Sequence, residues 1–108
     1  MRVLFDHGTP SGIRRSLARH EVTEAIERGW NTISNGELLS RAETAGFELL
    51  LTTDKRIRYQ QNLKHRKIAI VVLGNSAWRT VRKHLTRVVD AVNAATPGSY
   101  TEVEIPFE

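Results

Sequence analysis

Cysteine is absent from this chain, which excludes disulfides and thiolate metal sites. Long apolar runs are absent as well: none approaches the roughly 20 residues of a membrane helix. Met1 leads straight into an apolar segment, so no signal peptide is expected, and the expected location is the cytoplasm, with no membrane partner. Several catalytic signatures are also missing. There is no Gly-rich phosphate loop, Walker sequence, GxSxG elbow or HExxH. Acidic residues are missing over one long stretch. From Lys55 to Val89 there is no Asp or Glu, yet that stretch holds ten of the sixteen basic residues. The rest of the chain has six basic and twelve acidic residues, a balance of −6 against an overall +4. Such asymmetry suggests a polyanion as partner. It is equally the pattern of Lys and Arg that merely solvate helix faces.

What is present begins with two short apolar runs that each end on an aspartate. Arg2-Val3-Leu4-Phe5 runs into Asp6, and Leu49-Leu50-Leu51-Thr52-Thr53 runs into Asp54. Both read as buried strands. In an open α/β sheet, ligands bind beyond the carboxyl ends of parallel strands. Two unpaired carboxylates placed there repel by about 1 to 4 kcal/mol at ~4 Å, depending on the effective dielectric. A divalent cation reverses the sign of that interaction.

Residues 1–108 are expected to form one domain with a single core. Arg2 to Asp6 predicts a strand, followed by the breaker-rich turn His7 to Gly12. Ile13 to Arg19 predicts a short helix burying Ile13 and Leu17, capped by Ser11 or Thr9. Glu21 to Ile26 alternates as a strand. Ser34 or Asn35 caps a helix over about Gly36 to Ala45, which buries Leu38, Leu39 and Ala42 and is closed by Gly46. Phe47 to Thr53 reads as a third strand, and Lys55 to Leu63 as a short basic helix or irregular segment. Lys67 to Leu73 is a continuous apolar run suited to a central parallel strand. Ala77 to Ala95 predicts the longest helix, with Trp78, Val81, Leu85, Val88 and Val92 on one face. Tyr100 to Ile105 alternates as a last strand, and Pro106 marks it as an edge or terminus. The alternation of strand and helix predicts an α/β fold, a three-layer α/β/α sandwich with a mainly parallel central sheet.

Asp6 and Asp54 are the first candidates for metal ligands; an aspartate in such a turn also serves as a helix cap. Glu37 opens a helix, where a carboxylate also suits the positive end of the dipole. Glu43 lies on the same helix as a further candidate. Asn35 is an oxygen donor able to support a metal-bound water, and Thr52 and Thr53 offer hydroxyls beside Asp54. Three acids with oxygen donors suit Mg²⁺ or Mn²⁺ rather than zinc. His7 adjoins Asp6, but strand alternation points it to the opposite side. His20, His65 and His84 show no ligand spacing. Lys55, Arg56, Arg58, Lys64, Arg66 and Arg82 are candidate phosphate contacts, Tyr59 is a candidate base-stacking ring, and Gln61 and Asn62 add amides nearby.

Two of these segments resemble a known family. Leu4-Phe5-Asp6 with Pro10 and a short helix resembles the first strand of PIN-like domains. Asn35-Gly36-Glu37-Leu38-Leu39, then Gly46-Phe47, then Leu49 to Lys55, resembles the helix, strand and acid of the same group. The likeness is to its compact branch, long filed as a domain of unknown function and related to VapC-type toxins. It covers residue 2 to about residue 73; beyond that, only the architecture matches. The resemblance implies a PIN-like sandwich and a Mg²⁺- or Mn²⁺-dependent endoribonuclease, the toxin of a pair with a cognate antitoxin, with RNA as substrate. It places Asp6, Glu37 and Asp54 at catalytic metal positions, with Asn35 and Thr53 in support. The chain departs from the pattern at Asn35, where relatives often show Asp, and at Arg56 and Ile57, where many show an acid and Phe. Fewer acids imply weaker metal binding, so a degenerate PIN-like module that binds nucleic acid or a protein stands as the alternative. Pairing of the last strand with a second copy would give a homodimer.

Overall fold

Leu49–Thr52 (β3) and Ala69–Leu73 (β4) are buried at every position, so both of their faces need cover. The computed structural model, which describes residues 1–60 and 63–107, supplies that cover from two sides. Gln61 and Asn62 lie outside the described residues. The strands are completed by Arg2–Phe5 (β1), Glu21–Glu24 (β2) and Tyr100–Val103 (β5). All five are parallel, in the order β2-β1-β3-β4-β5. The sheet is therefore wholly parallel, and β5 is an edge strand as Pro106 implied.

Strand alternation sorts the apolar side chains into two clusters. Val3, Phe5, Leu49, Leu51, Val71 and Leu73 point to one face and Leu4, Leu50, Ile70 and Val72 to the other. The first face is covered by a 3-10 turn (Ser11–Leu17) through Ile13 and Leu17, and by helices α3 (Trp78–Val81) and α4 (Leu85–Ala94) through Val81, Val88 and Val92. The second is covered by helix α1 (Asn35–Thr44) through Leu38, Leu39 and Ala42, and by helix α2 (Ile57–Gln60) through Ile57. Four helices and a parallel sheet make this an α/β fold.

Local chemistry accounts for α1. Ser34 caps it by accepting the Glu37 backbone N–H at 3.3 Å, Glu37 and Arg41 pair one turn apart, and Gly46 at φ +87° closes it. Three expectations are corrected. The segment after β1 is 3-10 rather than α, without a side-chain cap; Thr9 is buried and donates instead to the Leu51 carbonyl at 3.1 Å. The second strand ends at Glu24, where Glu24 and Glu27 form a capping box for the next turn. The long helix breaks into α3, a 3-10 turn (Arg82–His84) and α4, because His84 leaves helical geometry at φ −126°, ψ 27°. The buried stripe Val81, Val88, Val92 survives the break, but Trp78 leaves it and stays 40% exposed.

Candidate functional site

The site is set by where the chain goes after β1 and after β3. These strands are neighbours, with Phe5 opposite Leu51. From β1 the chain turns to the face carrying Ile13 and Leu17; from β3 it turns to the face carrying Ile57. Adjacent strands whose connections leave on opposite faces open a crevice at their carboxyl ends. Asp6 and Asp54 both stand at that crevice, each just past the end of its strand.

One hydroxyl joins them. Thr52, the last residue of β3, is fully buried. Its Oγ1 donates to Asp6 Oδ2 at 2.7 Å and accepts the Asp54 backbone N–H at 3.1 Å. The Asp6 N–H is tied to the Leu51 carbonyl at 2.9 Å, and Asp6 Oδ1 accepts the His7 N–H at 2.8 Å. Asn35, the first residue of α1, reaches across and donates Nδ2 to Asp54 Oδ2 at 3.1 Å. Arg56 wraps back on Asp54: its backbone N–H and Nε donate to Oδ1 at 2.9 and 3.1 Å, and its Nη2 donates to Oδ2 at 3.3 Å.

These surroundings drive the two carboxyls apart. Burial raises the pKa of Asp6, the negative charge of Asp54 adds to the rise, and the Thr52 hydroxyl and His7 N–H oppose it. Asp54 moves the other way. The Arg56 guanidinium holds its carboxyl below the usual range, aided by Asn35. A carboxyl pair displaced in opposite directions is the electrostatic pattern of many acid–base sites.

Not every expected residue comes to this crevice. Glu37 does not join the pair: its carboxylate is held by Arg41 at 2.6 Å. Among the described residues no three His, Asp or Glu side chains group as a metal-binding cluster. The first turn of α1 thus delivers Asn35, not Glu37, to Asp54. Glu43 lies at the opposite end of the sheet, bound to Arg66 at 2.7 Å and to the Lys67 N–H at 2.9 Å. Arg66 is thereby a structural partner of Glu43 rather than part of the crevice. The hydroxyl that bridges the acids belongs to Thr52 rather than Thr53. Its signal in the sequence was only its place two residues before Asp54; the cross-strand register that makes it a bridge is not local.

The remaining cations are more dispersed. Arg58 pairs with Glu102 at 3.6 Å and sits over the rings of Tyr59 and Tyr100, at 5.8 and 5.7 Å from their centres. Tyr59 is 83% exposed, so its ring is open to stacking. Lys55 is exposed and lines a cleft of about 630 Å³ with Gly74 and the segment Glu102 to Phe107. Lys64 and Arg82 are exposed. No protein-family model, curated protein or solved structure matches the chain. No helix among the described residues is long and apolar enough to cross a membrane.

Proposed function

We propose that the protein is a PIN-like, Mg²⁺- or Mn²⁺-dependent endoribonuclease that cleaves RNA at the Asp6–Asp54 crevice. The observation that carries this reading is the meeting of two carboxylates from neighbouring parallel strands at the reversal of the sheet order, joined by Thr52. The candidate ligand atoms, the carboxylate oxygens of Asp6 and Asp54, suit a hard cation. Mg²⁺ is commonly held by one or two protein carboxylates together with waters and substrate phosphate, so a third acid is not required. An ionised carboxylate has about four acceptor directions; Asp6 spends two of them, on Thr52 and His7. Asp54 is engaged four times, three of them by Arg56, whose side chain is exposed. Such surface ion pairs are weak and yield readily.

A bound cation supplies charge neutralisation at the scissile phosphate and an activated water. The chain's own residues supply the geometry. Thr52 fixes the rotamer of Asp6, and Asn35 fixes that of Asp54. Arg56, once drawn off Asp54, is two residues from the acid and placed to take a phosphate oxygen. Replacing Asp6 with Asn tests the reading: Mn²⁺-dependent cleavage of RNA should fall by at least about 100-fold, since even supporting residues of metal sites cost 10- to 100-fold. Cleavage equal to that of the parent removes Asp6 from the mechanism. The role of toxin, restrained by a cognate antitoxin, rests on the likeness of the Asp6 and Asp54 segments to VapC-related domains. A neighbouring open reading frame whose product binds and inhibits the nuclease supports that role; a nuclease unaffected by its neighbour's product removes it.

A second reading is favoured by Arg56. Its guanidinium lies against Asp54 as an internal cation, which suits a module that has lost its metal and binds nucleic acid through the basic stretch. Calorimetric titration with Mn²⁺ separates the two, because such a module gives no heat that depends on Asp6 or Asp54.

A further inference from the structure

Among the described residues, four large apolar side chains remain well exposed: Ile26, Tyr59, Trp78 and Phe107. Each follows the carboxyl end of a strand within seven residues, the end where Asp6 and Asp54 sit. Phe107 and Trp78 each line a cleft, and of the two Trp78 is the one packed onto glycine backbone. Its indole lies on the backbone of Gly12, so closely that a Cβ there would come within 2.6–2.8 Å of three ring atoms. Only glycine permits that approach. The ring is thus packed against the turn that leaves Asp6, while 40% of the residue stays open. Pro10, Ser11, Gly12, Arg15 and Trp78 line a cleft of about 530 Å³.

We propose that this cleft is a nucleobase subsite, in which a base of a single-stranded RNA stacks on Trp78 and Arg15 takes the adjoining phosphate. The chemistry of the ligand follows from the lining. A fixed indole face recognises a planar ring, a guanidinium beside it recognises an anion, and a nucleotide joins the two. Trp78 also lies within the basic stretch that has no acidic residue, which suits an anionic partner over a cationic one. The turn bearing Gly12 continues from Asp6, which puts the cleft at the same end of the sheet as the acid pair. The inference rests on the reading of this end of the sheet as a nucleic-acid face, but not on cleavage.

The test uses Trp30→Phe, which leaves Trp78 as the sole tryptophan. Its fluorescence is titrated with a non-cleavable 2′-O-methyl single strand and with an abasic strand of equal length. The base-bearing strand should quench Trp78 and bind more tightly than the abasic one. Trp78→Ala, followed by anisotropy of a labelled strand, should weaken binding by roughly 5- to 100-fold. Gly12→Ala, which displaces the ring without deleting it, should weaken binding in the same direction with the circular dichroism of the parent. Equal affinity for the two strands overturns the stacking subsite while leaving phosphate binding intact. Parent-like affinity in both Trp78→Ala and Gly12→Ala overturns it as well. Failure of the parent to bind either strand overturns the subsite and the nucleic-acid reading together.

Discussion

Thr52 is the residue on which the proposed site turns, because one buried hydroxyl both donates to Asp6 and accepts from the Asp54 backbone. Thr52→Val keeps the shape but leaves the Asp54 N–H and an Asp6 oxygen short of a partner. It should cost about 1 to 3 kcal/mol in urea denaturation, with Thr52→Ser near the parent. Asp6 illustrates the opposite balance. Its pKa is raised, so its charged form opposes folding, and that penalty grows as pH rises from the ordinary 3.8 through the higher folded value. Asp6→Asn removes that pH-dependent penalty, so its unfolding temperature should vary less than the parent's as pH rises from about 4 to 7, while cleavage is lost. Both acids were legible in the sequence as ends of apolar runs. Arg56 was legible as a cation but not as the partner of Asp54, since that contact is a turn closed over two residues. The pairing of Glu37 with Arg41 was not legible as its place in the site, because helical spacing gives a face without saying which neighbour it meets.

At the scale of elements, α1 couples fold to site. Ser34 caps its first turn, and the residue after the cap, Asn35, holds Asp54. Ser34→Ala should cost about 1 kcal/mol of stability. It should also loosen Asn35, which would appear as a lower Mn²⁺ affinity in the folded protein, whereas a cap acting on stability alone would leave that affinity unchanged. Strands were the more legible elements. Buried parallel strands carry continuous apolar runs, and β3 and β4 carry two of the longest. The sheet order was not legible, because nothing local states that β3 crosses over to lie beside β1. The break at His84 was hidden for a related reason: the apolar stripe keeps its period across it, and periodicity was the signal being read.

Across the whole molecule, charge divides by role. Arg66 is half-buried on Glu43 at the amino end of the sheet, whereas Arg58 and Arg82 are exposed. In single-strand binding, Arg82→Ala or Arg58→Ala should flatten the slope of log K against log salt by about 0.7 for each phosphate no longer neutralised. Arg66→Ala should destabilise the fold and leave that slope alone. Acid should unfold the protein partly through the carboxylates whose pKa is lowered. Asp54 is held down by Arg56; Glu43 is held down by Arg66 and the Lys67 N–H against the upward push of burial. Each contributes stability that is present above the unfolded value and lost as pH falls through the folded one. The edge strand β5 leaves one flank of the sheet unpaired within the chain, and light scattering that shows only monomer at high concentration would count against a homodimer built on it.

The most direct measurement is a calorimetric titration of Mn²⁺ into the parent protein and into Asp6→Asn, Asp54→Asn and Arg56→Ala. A saturable heat is expected in the parent, with its loss in both aspartate variants and tighter binding once Arg56 no longer competes for Asp54. A parent that gives no saturable heat, or heats that stay the same when either aspartate is replaced, would contradict a metal site at this acid pair.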